Sequence, residues 1–315
     1  MNKNVLMCVV AGMGLCTTVT AQNDVAPSWP AYESTVATKS TSTMAIVAAT
    51  AQADVPASSS FVDKLYFTTD VGLNWVPDFT VKDFNFAVGG INLLTLTNLE
   101  QSTNMGVRWD IGIGYELTDN FRIQLESGIF DNSYNTIHGT VTDPFGFFGV
   151  PGASASGDIG DLFLVESGSL TQVPVMVSGI YEFHLGDGDR TDKGALAGWR
   201  FSPYIGGGIG AVYLDSDAKL EGLGLDLLVG GTSNSIHIGG NDWVFGYQIM
   251  AGLEYEISNN WFISIGYRFL GLTEADFGEP NLNGVTLSSV GFDRSKIKTE
   301  AIYNHSLQFG LRIEF

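Results

Sequence analysis

The last ten residues of the chain, Ser306 to Phe315, alternate without a break. Leu307, Phe309, Leu311, Ile313 and Phe315 fall on one face; Ser306, Gln308, Gly310, Arg312 and Glu314 fall on the other. A period of two is that of a β-strand whose two faces meet different surroundings. In a water-soluble sheet such an aromatic-rich face would be left frayed. If it meets lipid while the other face meets a polar lumen, every residue has a reason. The stretch also has the length of about ten residues that a membrane-spanning strand needs.

Seven further stretches repeat the pattern. The first runs from about Leu65 to Trp75, with Phe67, Val71, Leu73 and Trp75 outward and Tyr66, Asp70 and Gly72 inward. The second, Met105 to Leu117, turns Trp109, Ile111 and Ile113 out and Arg108, Asp110, Gly112 and Glu116 in. The third, Phe121 to Phe130, sets Ile123, Leu125 and Ile129 against Arg122, Gln124 and Glu126. The fourth, Leu170 to Phe183, sets Val175, Val177 and Tyr181 against Gln172, Met176, Ser178 and Glu182. The fifth, Phe201 to Leu214, is broken by Gly206, Gly207, Gly208 and Gly210. The sixth, Val244 to Ile257, and the seventh, Trp261 to Leu270, carry Glu254 and Arg268 inward. The expected fold is all-β: an eight-stranded antiparallel up-and-down transmembrane β-barrel over residues 63–315, its strand count even.

Two tight connections set the orientation. Thr118-Asp119-Asn120 and Ser258-Asn259-Asn260 predict three-residue loops, with the last Asn tolerating a left-handed conformation. Inward residues must pair with inward residues, so Glu116 faces Arg122 and Glu256 faces Phe262. Short turns belong on the periplasmic side, which makes 76–104, 131–169, 215–243 and 271–301 the long outer loops. The 184–200 connection is long for a periplasmic turn. Phe84 to Val88 and Ile91 to Leu96 form a second hairpin signal, leaving a ten-stranded barrel as the alternative.

The chain opens as a secretory signal: Lys3, an apolar Val5 to Leu15, and a small-residue cut after Ala21. Leu15 stands where a lipoprotein site before Cys16 would need a small residue. Cys8 and Cys16 therefore leave with residues 1–21, and no thiol chemistry is expected afterwards. Residues 22–62, rich in Ala, Ser, Thr and Pro, read as a flexible periplasmic segment, with a lumenal plug as the alternative. The formal charge of −19 becomes −20 after cleavage, a balance that repels nucleic acid. No apolar run after the signal reaches 18 residues, so a membrane helix is excluded.

Several stretches resemble a known family. They are Gln172-Val173-Pro174-Val175 leading to Ile180-Tyr181-Glu182-Phe183, Pro203-Tyr204-Ile205 with the glycines to Gly210, Ala251-Gly252-Leu253-Glu254-Tyr255, and Trp261 to Phe269. Together with the terminal Phe they resemble the small outer-membrane β-barrels of the OmpA-like and opacity-protein group, over roughly 63–315. The resemblance implies an integral protein of a Gram-negative-type outer membrane. It implies that Phe315 is read by the barrel-insertion machinery, and that outer-membrane lipid and lipopolysaccharide surround the barrel. It names no activity, since the group holds structural proteins, adhesins and barrels of other roles.

The register sends Asp70, Arg108, Asp110, Glu116, Arg122, Glu126, Glu182, Glu254, Arg268, Arg312 and Glu314 into the lumen. An eight-stranded barrel is just wide enough to be filled by side chains, and buried charges there must pair or be hydrated. The reading is an Arg–carboxylate network that plugs the lumen, with Arg122 beside Glu116 and Arg312 beside Asp70. A narrow channel for small solutes is the alternative, the inward glycines of the fifth strand supplying water-filled space. Trp75, Trp109, Tyr115, Phe121, Tyr181, Phe183, Tyr255, Trp261 and Tyr267 read as interfacial girdles. Phe145, Phe147 and Phe148 form an apolar patch in the second outer loop that can fold over the mouth, touch lipid or meet a surface partner.

Of the four histidines, His138 and His237 fall in outer loops and His184 in a periplasmic turn; His305 and Ser306 point to opposite faces of one strand. No Ser/His/acid set is brought together, so no enzyme is expected. Asp187 to Asp192 lacks the closing Glu of a calcium loop, so no metal or cofactor is expected either. The working part is then the set of outer loops, in a structural or surface-interaction role.

Overall fold

A computed structural model describes residues 61–143, 151–158, 164–183, 201–221, 235–258 and 260–315. The expected signal peptide, the expected periplasmic segment up to residue 60, the 184–200 connection and the patch of Phe145, Phe147 and Phe148 lie outside them.

Eight strands form the cylinder: β1 (Leu65–Trp75), β2 (Gly106–Thr118), β3 (Phe121–Asp143), β4 (Leu164–Glu182), β5 (Phe201–Glu221), β6 (Ser235–Ser258), β7 (Trp261–Leu272) and β8 (Ile302–Glu314). Each is antiparallel to its sequence neighbour, and β8 returns to pair with β1 from Tyr66↔Glu314 to Trp75↔His305. The Phe315 amide adds a final bond to the Leu65 carbonyl, at 3.2 Å. Closure satisfies every edge, as a strand in hydrocarbon requires. Among the described residues no helix is long and apolar enough to cross a membrane.

The alternation falls as the sequence predicts. Val71, Trp109, Ile111, Leu125, Val177, Ile249, Ile265 and Phe309 are exposed on the outside, while Asp70, Arg108, Glu126, Ser178, Glu254, Arg268 and Gln308 are buried inside.

The short turns differ in detail from the expected loops. Glu116 does face Arg122 and Glu256 does face Phe262, but Thr118 also pairs with Phe121 and Ser258 with Trp261. A bulge at Leu117 and at Ile257 thus tightens each turn by absorbing one residue. Asn120 is not left-handed, and both turn asparagines make a further contact. Each spends its amide on the adjacent strand: Asn120 Nδ2 donates to the Glu182 carbonyl at 3.1 Å, and Asn260 Nδ2 to the Glu314 carbonyl at 3.2 Å.

Four strands run well past the expected ends. β3 has 23 residues, β5 21, β6 24 and β4 19. Beyond the girdle the polarity of the alternation inverts. In β5, Val212, Leu214 and Ala218 turn inward, while Asp215 and Asp217 turn outward. Water has replaced lipid outside, so the apolar side chains move in.

The extra hairpin does not join the ring. Phe84–Val88 pairs with Ile91–Thr103, which in turn pairs with the upper part of β3. It caps the barrel, leaving eight staves. Its Phe84, Phe86, Leu94, Leu96 and Leu99 join Phe277, Leu287 and Ile297 of the last outer loop in one apolar core that continues down to Leu170, Leu214 and Ile302.

Candidate functional site

The interior is layered along the barrel axis, beginning at the end of the short turns. Glu254 sits between two guanidinium groups. Arg122 Nη2 donates to Glu254 Oε1 at 2.6 Å, and Arg312 Nη2 donates to Glu254 Oε2 at 2.8 Å. Arg122 also meets Glu182; Arg312 also meets Glu314, and reaches Glu116 Oε1 at 3.1 Å. The Tyr66 ring lies between the two arginines, 5.5 Å from each. Gly114 makes room for it, because a Cβ there would overlap the ring.

These partners differ from the expected ones. Arg122 turns to Glu182 and Glu254 rather than Glu116, and Arg312 meets Glu116, Glu182, Glu254 and Glu314 rather than Asp70. Strands in a small barrel are tilted and staggered, so a long side chain reaches across the lumen more readily than along its own ladder.

The next layer centres on Glu126. Arg268 Nη1 donates to Glu126 Oε1 at 2.7 Å, Gln124 Nε2 donates to Glu126 Oε2 at 2.8 Å, and Gln248 and Ser178 complete the set. Arg268 Nε also donates to Gln308 Oε1 at 3.1 Å. Arg108 pairs with Asp110 at 2.5 Å and covers the Phe130 ring, 4.1 Å away. Asp70 is the least supported carboxylate, with the Gln308 amide at 3.5 Å.

The glycines of β5 open no water-filled space. A Cβ at Gly210 would lie 2.7 Å from Met176 Sδ, and one at Gly206 would lie 3.0 Å from Met250 Cγ. Methionines from neighbouring strands occupy what those glycines vacate, as their unbranched chains allow.

Above the charges lies a neutral layer that sequence reading missed. Asn74 Nδ2 donates to Asn132 Oδ1 at 2.6 Å and to Asn304 Oδ1 at 3.1 Å; Gln172 and Asn304 exchange two bonds of 2.8 and 3.0 Å; Ser306 Oγ donates to Asn74 Oδ1 at 2.7 Å. All five side chains are fully buried. Their signal was present in part: Asn74, Gln172 and Ser306 alternate inward, but Asn132 lies past the expected end of the third strand. Over this layer come Leu170, Leu214, Leu270, Leu272 and Ile302, and then the cap.

The cap is latched by exposed contacts. Lys82 Nζ donates to Glu274 Oε2 at 2.6 Å and Lys296 Nζ to Asp276 Oδ2 at 2.9 Å. These bonds hold both carboxyls below their usual range. At the hairpin tip the Gly89 and Gly90 amides donate to Asp293 at 2.9 and 2.7 Å. Both glycines are left-handed, at φ +61° and +80°, where a side chain would be strained. Deeper in, Tyr134 and Ser216 share a hydroxyl bond of 2.7 Å, and burial pushes the Tyr134 hydroxyl well above its usual range.

On the outside, two aromatic bands flank the apolar zone. Tyr181 with Phe183 and Phe201 with Tyr255 mark the end of the short turns. Trp75, Tyr267 and Phe269 surround His305 at the other end, with Tyr267 Oη 2.5 Å from His305 Nδ1. His305 and Ser306 do point to opposite faces. His237 lies 3.2 Å from Asp217 on the outer extension, an exposed pair that strand spacing alone did not suggest.

A closed eight-stranded cylinder with an apolar, aromatic-banded exterior and a polar interior is an integral outer-membrane β-barrel. The chain belongs to the outer membrane protein beta-barrel domain family, whose model matches residues 41–315. It is 26% identical over 218 residues to an uncharacterized protein of Brucella suis biovar 1, covering 67% of this chain and 69% of that one. An uncharacterized protein of Brucella abortus is 30% identical over 122 residues, 36% of this chain and 41% of the relative. Among solved structures, the outer membrane protein OprG from Pseudomonas aeruginosa matches 80% of this chain and 98% of its own, at 14% identity and a TM-score of 0.44. Neisserial surface protein A matches 80% and 97%, at 12% identity and a TM-score of 0.38.

Proposed function

We propose that this barrel is a closed, non-catalytic membrane anchor that presents its cap and outer loops to the cell exterior in a structural or surface-interaction role. The observation that carries this reading is the layered interior, whose cavity of about 30 Å³ beside Asp70, Arg268 and Gln308 stays below the aliphatic layer. Charged, amide and aliphatic layers follow one another, and a folded cap closes the outer end. A channel needs a continuous hydrated path, which the aliphatic layer of Leu170, Leu214, Leu272 and Ile302 interrupts.

In this reading the girdles sit among lipid and lipopolysaccharide headgroups, and Phe315 is the residue offered to the insertion machinery. A surface partner would meet the outer loops, including the segment that holds Phe145, Phe147 and Phe148. Recording the full chain in planar bilayers tests the central claim. A silent trace is expected, with steps emerging when Leu214 and Leu272 are both replaced by Gly. Discrete openings of the unaltered protein would overturn the reading in favour of a small-solute channel.

A further inference from the structure

The cap is not packed solid. Between the hairpin, the upper parts of β3, β5 and β6, and the last outer loop lies a cavity of about 50 Å³. Phe79, Leu96, Leu99, Ile137, Phe277 and Ile297 are among the nine apolar residues of its wall. Four polar residues also border it. Tyr134 and Ser216 satisfy each other, and Gln101 donates to the Ser102 and Thr136 carbonyls. The fourth, Thr299, is different. It is only 1% exposed, and its hydroxyl has no hydrogen-bond partner.

Backbone pairing fixes that hydroxyl in place. The Thr299 amide donates to the Ala275 carbonyl at 3.0 Å, and the next amide, of Glu300, donates to the Thr80 carbonyl at 3.0 Å. A buried hydroxyl without a partner is costly, and a native structure that keeps one invites a functional explanation. Nine of the thirteen residues around the chamber are apolar, so an apolar body meets more of its wall than a water, which bonds only to polar partners. An apolar body carrying one polar group fits both features of the wall.

We propose that the cap cavity is a binding site for a small neutral amphiphile, a compact hydrocarbon bearing a single hydroxyl or carbonyl, with Thr299 Oγ1 as its polar contact. The site lies wholly outside the membrane-facing barrel, and it does not depend on whether the lumen conducts.

The test is methyl NMR of the full chain in phosphatidylcholine nanodiscs, isotope-labelled at isoleucine and titrated with ethanol and with ethane, guests small enough for the space. Ile137, Ile238 and Ile297 line the cavity; Ile111, Ile249 and Ile265 face outward. Saturable shifts confined to the first three are expected, and Ala218→Leu should abolish them by filling the space. Thr299→Val keeps the shape and removes the hydroxyl. It should cost ethanol up to about tenfold in affinity, the span of one net hydrogen bond, and leave ethane unchanged. Unsaturating shifts of equal size on the outward isoleucines would mean partition into lipid and would overturn the site. Saturation that survives Ala218→Leu would overturn it too. If Thr299→Val leaves the ethanol affinity unaltered, the assignment of the polar contact fails. Native heat-modifiable mobility of both variants shows that the barrel has folded.

Discussion

At the level of Tyr66 the interior of this barrel is made of guanidinium and carboxylate groups, while at the level of Leu170 and Ile302 it is made of aliphatic side chains. Both levels are buried, and both fill the same narrow bore. The lower one tolerates charge because it is a network: Glu254 holds two arginines, and Glu116 and Glu314 keep 33% and 22% of their side chains exposed at the mouth. The upper one needs no pairing, but it needs a roof, because a ring of leucines open to the exterior would be an apolar hole in water. The hairpin and the last outer loop provide that roof. The contrast teaches that a small barrel can be closed by two chemistries, one self-contained within the strands and one dependent on loops.

The largest effect should come from breaking the lower network. Glu254→Ala takes from Arg122 and Arg312 one of the two carboxylates they share, Glu182 being the other, and should destabilise by about 3–5 kcal/mol, read as a lower midpoint of urea unfolding. Replacing Arg122, Glu182, Glu254 and Arg312 together by Met, Leu, Leu and Met removes both sides of the pairing and should recover much of that loss. If the quadruple variant is no better than the single one, pairing is not what holds this half. In the upper half, Leu214→Ala should cost about 2–5 kcal/mol through the cavity it leaves, with no rescue by a change of charge. A cost under 1 kcal/mol would mean that the cap collapses onto the space.

Between the halves, Asn74→Ala strands the Ser306 hydroxyl and one bond each of Asn132 and Asn304, for about 1–3 kcal/mol. The smallest effect lies in the latch. Lys82→Ala should leave the unfolding midpoint unmoved yet speed protease cleavage within the 84–96 hairpin. Acid should act likewise: Glu274 and Asp276 are depressed in the folded cap, so their contribution is complete above about pH 4.5 and is lost as the pH falls through the folded values. Cleavage that does not change between pH 7 and pH 3 would show that the apolar contacts alone keep the cap down.

How much of this was legible in the sequence follows from where water and lipid lie. In the membrane the outward face must be apolar, so Trp109, Ile111 and Ile113 beside Asp110 and Gly112 announce a strand and its orientation. Above the membrane the rule inverts, and β5 beyond Leu214 reads as an acidic loop although its pairing continues to Glu221. The inward glycines of β5 looked like space because the sequence does not show that Met176 and Met250 lean into it. Arg122 and Arg312 lie inside the barrel with partners other than the expected ones, since spacing along a ladder says nothing about reach across a tilted bore.

The chain's own alternation determined which residues face out and where the two tight turns fall, because a period of two allows a single register once one face must be apolar. Tertiary structure alone decided that Glu254 would serve two arginines, that five amides and hydroxyls would form a closed layer, and that residues 84–103 would roof the cylinder rather than widen it. Those outcomes depend on distances between strands far apart in sequence, and no local pattern encodes a distance across a lumen.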